Sequence, residues 1–522
     1  MTKKNILWIM ADQLRWDYLG CYGHPTLKTP VMDSIAERGV RFDRAYVNAT
    51  ICGPSRMCYY TGRHMWTHGS SWNNVPLRVG EMTLGDHLRP LGYRTALVGK
   101  THMTADVQGM QRLGVDQAST EGVLSAECGF EPYVRDDGIH PDKFADPDQE
   151  YNRYLASHGY DGPNPWHYGA NAGVDDKGQP LSGWYMRNAA QPTVIPDEHS
   201  ETAFMTNRAM DFIRDAGDKP WCLHLSYIKP HWPYIVQAPY HRMYSARDVI
   251  PVNRAQAERE DAHPVMKGYM NYAEGRSFSE DHVRDTVIPI YMGLITQLDD
   301  HLGRLMEFLE QMGRLKDTMI VISSDHGDYL GDHWLGEKEL FHDESARVPL
   351  IVYDPSPQAD TTRGTVCTDL VQAIDLAATF VDLAGGTDSE HILEGKSLLP
   401  VLYGTGGGHD YVVSELDFSH RHVARDMDLP WNRCRAWMVR SDDWKYVYWE
   451  GFRPQLFDMR NDPRELTDLG DDPAHADIRA AHREKLFDWF RDRRLTVTFS
   501  EGEILNRRKG GPEQVGVMVG YW

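Results

Sequence analysis

The sequence carries no excess of positive charge. Lys and Arg number 55 against 76 Asp and Glu, a formal net charge of −21 at pH 7, which excludes the basic stripe of a nucleic-acid surface. An anionic small molecule remains admissible, but the overall field repels it, so a local cluster of Lys, Arg and His is informative here. Cysteine is scarce. Seven in 522 residues are too few, and odd in number, for a disulfide framework, and they point to a reducing, cytoplasmic setting. Long apolar runs are missing too: between Lys4 and Asp12 only Ile6 to Ala11 is apolar, shorter than a signal peptide requires, and no run approaches a membrane span. A soluble, unexported protein with no nucleic-acid or membrane partner is expected. There are no internal repeats or low-complexity tracts. What is present, 41% apolar and 11% aromatic residues, is ordinary for a globular chain long enough for a large domain and a smaller companion.

Short apolar runs ending in polar residues read as buried strands: Asn5 to Met10, Tyr93 to Val98, Trp221 to Tyr227 and Met319 to Ser323. Helical spacing marks Pro30 to Arg38 and Thr83 to Leu91, and Asp369 to Gly386 reads as a core helix. Strands alternating with helices predict an α/β fold with a mostly parallel sheet flanked by helices. Residues 105–200, rich in Gly, Asp, Pro, Asn and Tyr, read as an insertion that walls the site. A large catalytic domain is expected over 1–403, closed by Gly395 to Pro400. After the link Gly404 to Gly408, a smaller α+β domain and tail over 409–522 carries strands at Arg435 to Arg440 and Trp444 to Trp449 and a helix at Ala474 to Phe490.

Cys52-Gly53-Pro54-Ser55-Arg56 is the strongest local signal; the chain's own composition predicts roughly 0.04 chance occurrences of C-x-P-x-R. Taken alone, a buried structural cysteine is the ordinary explanation. A second signal is positional. Asp12-Gln13 follows the first strand, and Asp325-His326-Gly327 follows Met319 to Ser323. Ligands gather beyond the carboxyl ends of parallel strands, so two carboxylates, an amide oxygen and an imidazole converge to hold one divalent cation, calcium first and manganese as the alternative. Helix capping and a turn are the ordinary explanations of each pair taken singly.

These residues resemble the sulfatase family of the alkaline phosphatase superfamily. Its motif is Cys52 to Arg56 with Thr61-Gly62-Arg63, although Cys58, Tyr59 and Tyr60 replace the family's usual small residues and leucine. The likeness runs through Gly99-Lys100-Thr101-His102, Lys229-Pro230-His231, Asp325-His326-Gly327 and Lys338 to Leu456-Phe457-Asp458-Met459 and Asp462 to Leu466, nearly the whole chain. It implies an alkaline-phosphatase-like fold and hydrolysis of aryl sulfate monoesters. Cys52 would be oxidised to formylglycine by a formylglycine-generating enzyme, and its hydrate would pass through a covalent sulfoenzyme hemiacetal. The metal set would be Asp12, Gln13, Asp325, His326 and modified Cys52. Arg56 would hold the hydrate and carboxylates, Lys100, His231 and Lys338 would clamp sulfate and assist the leaving group, and His102 would be the base. Gln13 and His326 resemble the branch holding phosphonate monoester hydrolases. Lys100 and His102 resemble sulfatases, since the phosphonate enzymes have hydroxyl-bearing residues there. A promiscuous sulfatase is therefore expected, with a phosphonate monoester or phosphodiester hydrolase as the alternative and a non-catalytic binding protein as the reading from another class.

His64, His68, His420 and His422 read as structural, and His333 and His342 as flanking Lys338. Trp166 and Trp184 are either an aromatic pocket for the leaving group or loop core. The apolar tail Val519 to Trp522 points to a homo-oligomer, a dimer or tetramer.

Overall fold

A computed structural model describes residues 3–509 other than 145, 147, 387–390 and 494–496, together with 516 and 518. The tail Val519 to Trp522, on which the expected oligomer rests, lies outside the described residues. The strands are β1 (Asn5–Ala11), β2 (Val40–Tyr46), β3 (Arg94–Gly99), β4 (Glu131–Arg135), β5 (Ala172–Val174), β6 (Pro180–Ser182), β7 (Trp221–Tyr227), β8 (Thr318–Ser323), β9 (Arg347–Tyr353) and β10 (Thr365–Gln372), followed by β11 (Tyr411–Asp417), β12 (Arg435–Ser441), β13 (Trp444–Trp449) and β14 (Gln455–Asp458).

The large sheet has the order β10-β2-β9-β8-β1-β7-β3-β4. Only β9 runs against its neighbours; the other pairs are parallel. Successive side chains of a strand point to opposite faces, and β1 shows the consequence. Leu7, Ile9 and Ala11 enter one core with the helices Glu201–Ala216 and Asp281–Gln311, and Ile6, Trp8 and Met10 enter a second with the helices Cys52–Thr61 and Asp375–Leu383. Apolar runs without alternation are what a strand covered on both faces requires.

The stretch expected as one helix from Asp369 is divided. Residues up to Gln372 pair with β2, and only Asp375–Leu383 is helical. Leu370-Val371 is an apolar pair that suits either state, and the free edge of β2 selects strand. Within 105–200, Glu131–Arg135 forms the edge strand β4, and the rest is short helices and the β5–β6 hairpin.

The antiparallel sheet β11-β12-β13-β14 divides its side chains in the same way. Val412, Leu416, Met438 and Val447 pack towards Tyr269 and Phe341, while Val413, Trp437 and Val439 pack on Leu486 and Trp489 of the helix Ala476–Arg491. Its first strand also fastens the approach to Cys52, because the Glu415 backbone N–H donates to the Asn48 carbonyl at 2.9 Å. Among the described residues no helix is long and apolar enough to cross a membrane.

Candidate active site

Strand register brings the site together. Met10 lies opposite both Ser226 and Ser323, and Gly99 opposite Ser226, so β1, β3, β7 and β8 end level. The residues that follow them, Asp12-Gln13, Lys100-Thr101-His102, His231 and Asp325-His326, therefore leave the same edge. Cys52 opens the helix Cys52–Thr61, all of whose residues are buried, and the helix N-terminus directs its positive end at the sulfur. The Gly53 N–H is satisfied by Asn73 Oδ1 at 2.7 Å.

Arg56 organises the two carboxylates. Its Nε donates to Asp325 Oδ2 at 2.8 Å and its Nη2 to Asp12 Oδ2 at 3.1 Å, while Nη1 reaches the Lys100 carbonyl and Ser226 Oγ. Lys100 Nζ lies 2.6 Å from Asp12 Oδ2. Burial raises the Asp12 carboxyl, but Lys100, His231 and Arg56 together bring it below its ordinary value. Burial holds Asp325 above its ordinary value, with the Asp12 charge adding to the shift against Arg56.

Lys338 Nζ donates to Gln13 Oε1 at 2.9 Å and to His231 Nε2 at 3.0 Å. Because His231 Nδ1 donates to the Trp232 carbonyl at 2.7 Å, its Nε2 is the acceptor. Burial and the Lys338 charge push His231 down to about 3, so the imidazole is neutral. Lys338 goes the other way: Cys52, Glu337 and Asp12 overcome the burial penalty and keep it charged. At Cys52, burial raises the thiol, but Lys338, Lys100 and His326 pull it well below its usual value. Arg56, Lys100 and Lys338, all buried, thus bring positive charge to this centre in a protein of net charge −21, the local reversal of field that an anionic substrate needs.

Ligand atoms of Asp12, Cys52, Asp325 and His326 lie within 4.8 Å of one another, the one such group among the described residues. The donors suit a divalent cation. His326 Nδ1 bonds the Gly327 carbonyl at 2.9 Å, which turns Nε2 inward, 3.0 Å from Cys52 Sγ and 3.7 Å from Asp325 Oδ1, the usual arrangement of a ligating histidine. Burial raises Asp325 and the neighbouring Asp12 charge adds to it, and these two carboxylates are the groups a cation would relieve. Gln13 Oε1 faces Lys338, and its amide nitrogen is held by Asp328 Oδ2 at 2.5 Å.

Sequence reasoning missed several supporting residues. Asp328 also accepts from Tyr234 at 2.6 Å, and Asp137 Oδ1 accepts the backbone N–H groups of Thr101 and His102, each at 2.9 Å. Asp328, three residues after Asp325, carried some positional signal; Asp137 carried none, because the pairing of β3 with β4 places it. Gln13, His102, Glu337 and Glu339 hold positive φ, backbone strain of the kind that gathers at functional sites.

A family comparison decides what this arrangement belongs to. The family model described as Sulfatase matches residues 4–386. The chain belongs to the sulfatase family. A second model, N-sulphoglucosamine sulphohydrolase, C-terminal, matches residues 331–492. The chain is 31% identical to the multifunctional alkaline phosphatase superfamily protein PehA of Trinickia caryophylli, over 97% of this chain and 100% of that one. It is 28% identical to the arylsulfatase of Clostridium perfringens, over 90% of each. The phosphonate monoester hydrolase of Agrobacterium radiobacter superposes with a TM-score of 0.81 at 28% identity, over 93% of this chain and 95% of that one. The alkaline-phosphatase-like fold expected from the motifs is the fold observed.

The remaining candidates of the chain separate cleanly. His64 takes the Trp489 indole N–H at 3.4 Å, and His68 Nε2 lies 3.3 Å from Cys58 Sγ. Trp166 is buried with its Nε1 on Glu201, so it is core, and Trp184 packs against the same core. His333 sits between Glu258 at 2.6 Å and Glu344 at 3.3 Å and stacks on His342 with ring centroids 3.9 Å apart. Burial lowers His333, but Glu344 and Glu258 outweigh it and raise it to about 10. A folded value above the unfolded one of about 6.5 stabilises fully below pH 6.5 and less as pH rises towards 10. His333→Asn, which tolerates the positive φ, should melt well below wild type at pH 6, by an upper bound of about 5 kcal/mol. The deficit should narrow steadily to pH 10 in thermal melts, and a deficit independent of pH would contradict the charged pairing.

Proposed function

We propose that the chain hydrolyses aryl sulfate monoesters through formylglycine at position 52, with phosphonate monoesters and phosphate diesters as side substrates. The observation that carries this reading is the loop after β3. Lys100 Nζ is paired with Asp12, and against the burial that raises the Cys52 thiol both Lys100 and His102 are among the groups that lower it, so both residues that resemble sulfatases act on position 52. Asp12, Gln13, Asp325 and His326 would hold a divalent cation, calcium or manganese, which would supply Lewis acidity to a substrate oxygen and acidify the hydroxyls at position 52. Formylglycine, made from Cys52 by a separate maturation enzyme, would supply a hydrate with one hydroxyl to attack sulfur and a second to permit expulsion of sulfate.

The chain's own residues do the rest. Lys100 and Lys338 are fixed cations aimed at developing negative charge. Neutral His231 accepts from Lys338 through Nε2 and has no proton there to give, so Lys338 is the group that offsets the leaving oxygen and His231 is its orienting partner. His102, whose backbone N–H is held by Asp137 Oδ1 at 2.9 Å, would be the base that takes the proton of the second hydroxyl. Arg56 keeps both carboxylates in register.

A second reading, a phosphonate monoester hydrolase, is favoured by the superposition at TM-score 0.81. The test is kcat/KM for an aryl sulfate and an aryl phosphonate monoester with the same leaving group, on protein whose tryptic peptide Ala45 to Arg56 is verified by mass to carry formylglycine, loaded separately with calcium and with manganese. Sulfate should be preferred, and Lys100→Ala should lower the sulfate value by about 10²- to 10³-fold, more than the phosphonate value. A phosphonate preference unaffected by Lys100→Ala would select the second reading. Cysteine left unmodified by a host able to convert it would defeat both.

A further inference from the structure

His420 has no part in the chemistry expected from the sequence, and Trp72 none in the site described above. The fold brings the two together beside Cys52. Asn73 lies against the residue following Cys52: its Oδ1 accepts the Gly53 N–H at 2.7 Å, and its Cα lies 3.0 Å from where a Gly53 Cβ would stand. Asn74, exposed, meets Thr104 Oγ1 at 3.4 Å, just past His102. Residues 72–74 are thus held between the Cys52 helix and the Lys100–His102 loop, at an edge open to solvent.

On that edge the Trp72 ring stacks on His420, with centroids 5.4 Å apart and planes inclined by 17°. His420 belongs to the segment after β11 and is exposed. Its neighbour Arg421 lies over the Trp72 ring at 6.0 Å and the Tyr272 ring at 4.8 Å and pairs with Glu339 at 2.9 Å. Glu339 adjoins Lys338, and its backbone N–H donates to the Thr50 carbonyl at 3.1 Å, two residues before Cys52. Two routes, one through Asn73 and one through Glu339 and Arg421, therefore fix this stack relative to the reacting position.

Trp72 differs from Trp184, Trp232 and Trp334. Trp184 and Trp232 pack on the main core and Trp334 on the core beneath the smaller sheet, whereas Trp72 packs on none of the hydrophobic cores although it is only partly exposed. A large ring held flat by stacking and by a neutralised arginine, without core burial, is preorganised to receive another flat ring.

We propose that Trp72 and His420 form the leaving-group platform, which selects esters with a planar aryl leaving group. This rests on the aryl-ester reading above and adds the residues that recognise the ring. Catalysis at position 52 is common to aryl and alkyl esters, and stacking is available only to the former, so the platform is read in the ratio between them.

The experiment measures kcat/KM for an aryl and an alkyl ester of whichever anion the formylglycine-bearing enzyme cleaves faster, in wild type, Trp72→Ala, Trp72→Phe and His420→Ala. Alongside it, binding of benzenesulfonate and methanesulfonate to the same proteins is measured by calorimetry. Trp72→Ala should lower the aryl-to-alkyl ratio roughly five- to tenfold, mainly through KM, Trp72→Phe should restore most of it, and His420→Ala should lower it by a smaller factor. Benzenesulfonate affinity should fall in parallel and methanesulfonate affinity should not. Equal losses for aryl and alkyl esters, or an unchanged ratio, would overturn the platform. An enzyme inert towards every ester would instead defeat the functional reading, and the benzenesulfonate comparison would still decide the platform.

Discussion

Cys52→Ser should give a folded protein that releases at most one equivalent of phenol per site and then stops. The substitution exchanges sulfur for oxygen at a buried position at the start of a helix whose other residues are all buried, so the surrounding structure has little reason to change. A serine hydroxyl can attack sulfur, but it has no second hydroxyl whose deprotonation would expel sulfate. The product is a stable sulfate ester, visible as an adduct in the intact mass, with steady-state turnover lower by at least about 10³-fold. Cys52→Ala should show neither burst nor adduct. Repeated turnover by the serine variant would mean that the hydrate's second hydroxyl is dispensable and that the formylglycine mechanism is wrong for this chain.

Arg56→Lys should be nearly as damaging, for a different reason. The guanidinium bridges Asp325 and Asp12 while also reaching Lys100 O and Ser226 Oγ, a four-way geometry that a lysine ammonium on a flexible stem does not reproduce. Leaving a buried charge without its partner costs about 3–5 kcal/mol, and here two carboxylates are affected together. The variant should melt markedly lower than wild type and lose about 10²-fold or more in kcat/KM, as the carboxylates drift from register. Added calcium should recover part of the melting temperature, because a cation between the carboxylates supplies some of the missing charge, and should recover little activity. Melting curves with calcium and with chelator make the comparison. A variant as stable as wild type in chelator would show that Arg56 is not what holds the pair.

Much of this protein was legible in its sequence because the signals are local. Asn5 to Met10 and Trp221 to Tyr227 are apolar runs of strand length, and Pro30 to Arg38 carries helical spacing with proline at its first position; each was assigned close to its observed bounds. Cys52 to Arg56 marked the candidate reacting position, and Asp12 and Asp325 were found because each directly follows a readable strand. The convergence itself came from tertiary structure. The level ends of β1, β3, β7 and β8 set which side chains meet, and that depends on sheet order, which no single run encodes. Likewise β10 is a strand because β2 offered it a free edge, and Asp137 supports the His102 loop because β4 pairs with β3. The tautomer of His231, which residue type leaves open, was set by one hydrogen bond to the Trp232 carbonyl, and the stack of Trp72 on His420 joins residues 348 positions apart in the chain. Sequence determined the elements and the chemistry available to them, since propensity and motif act over a few residues. Tertiary structure decided which groups share a charge, a proton or a face, because those energies depend on distances set by packing.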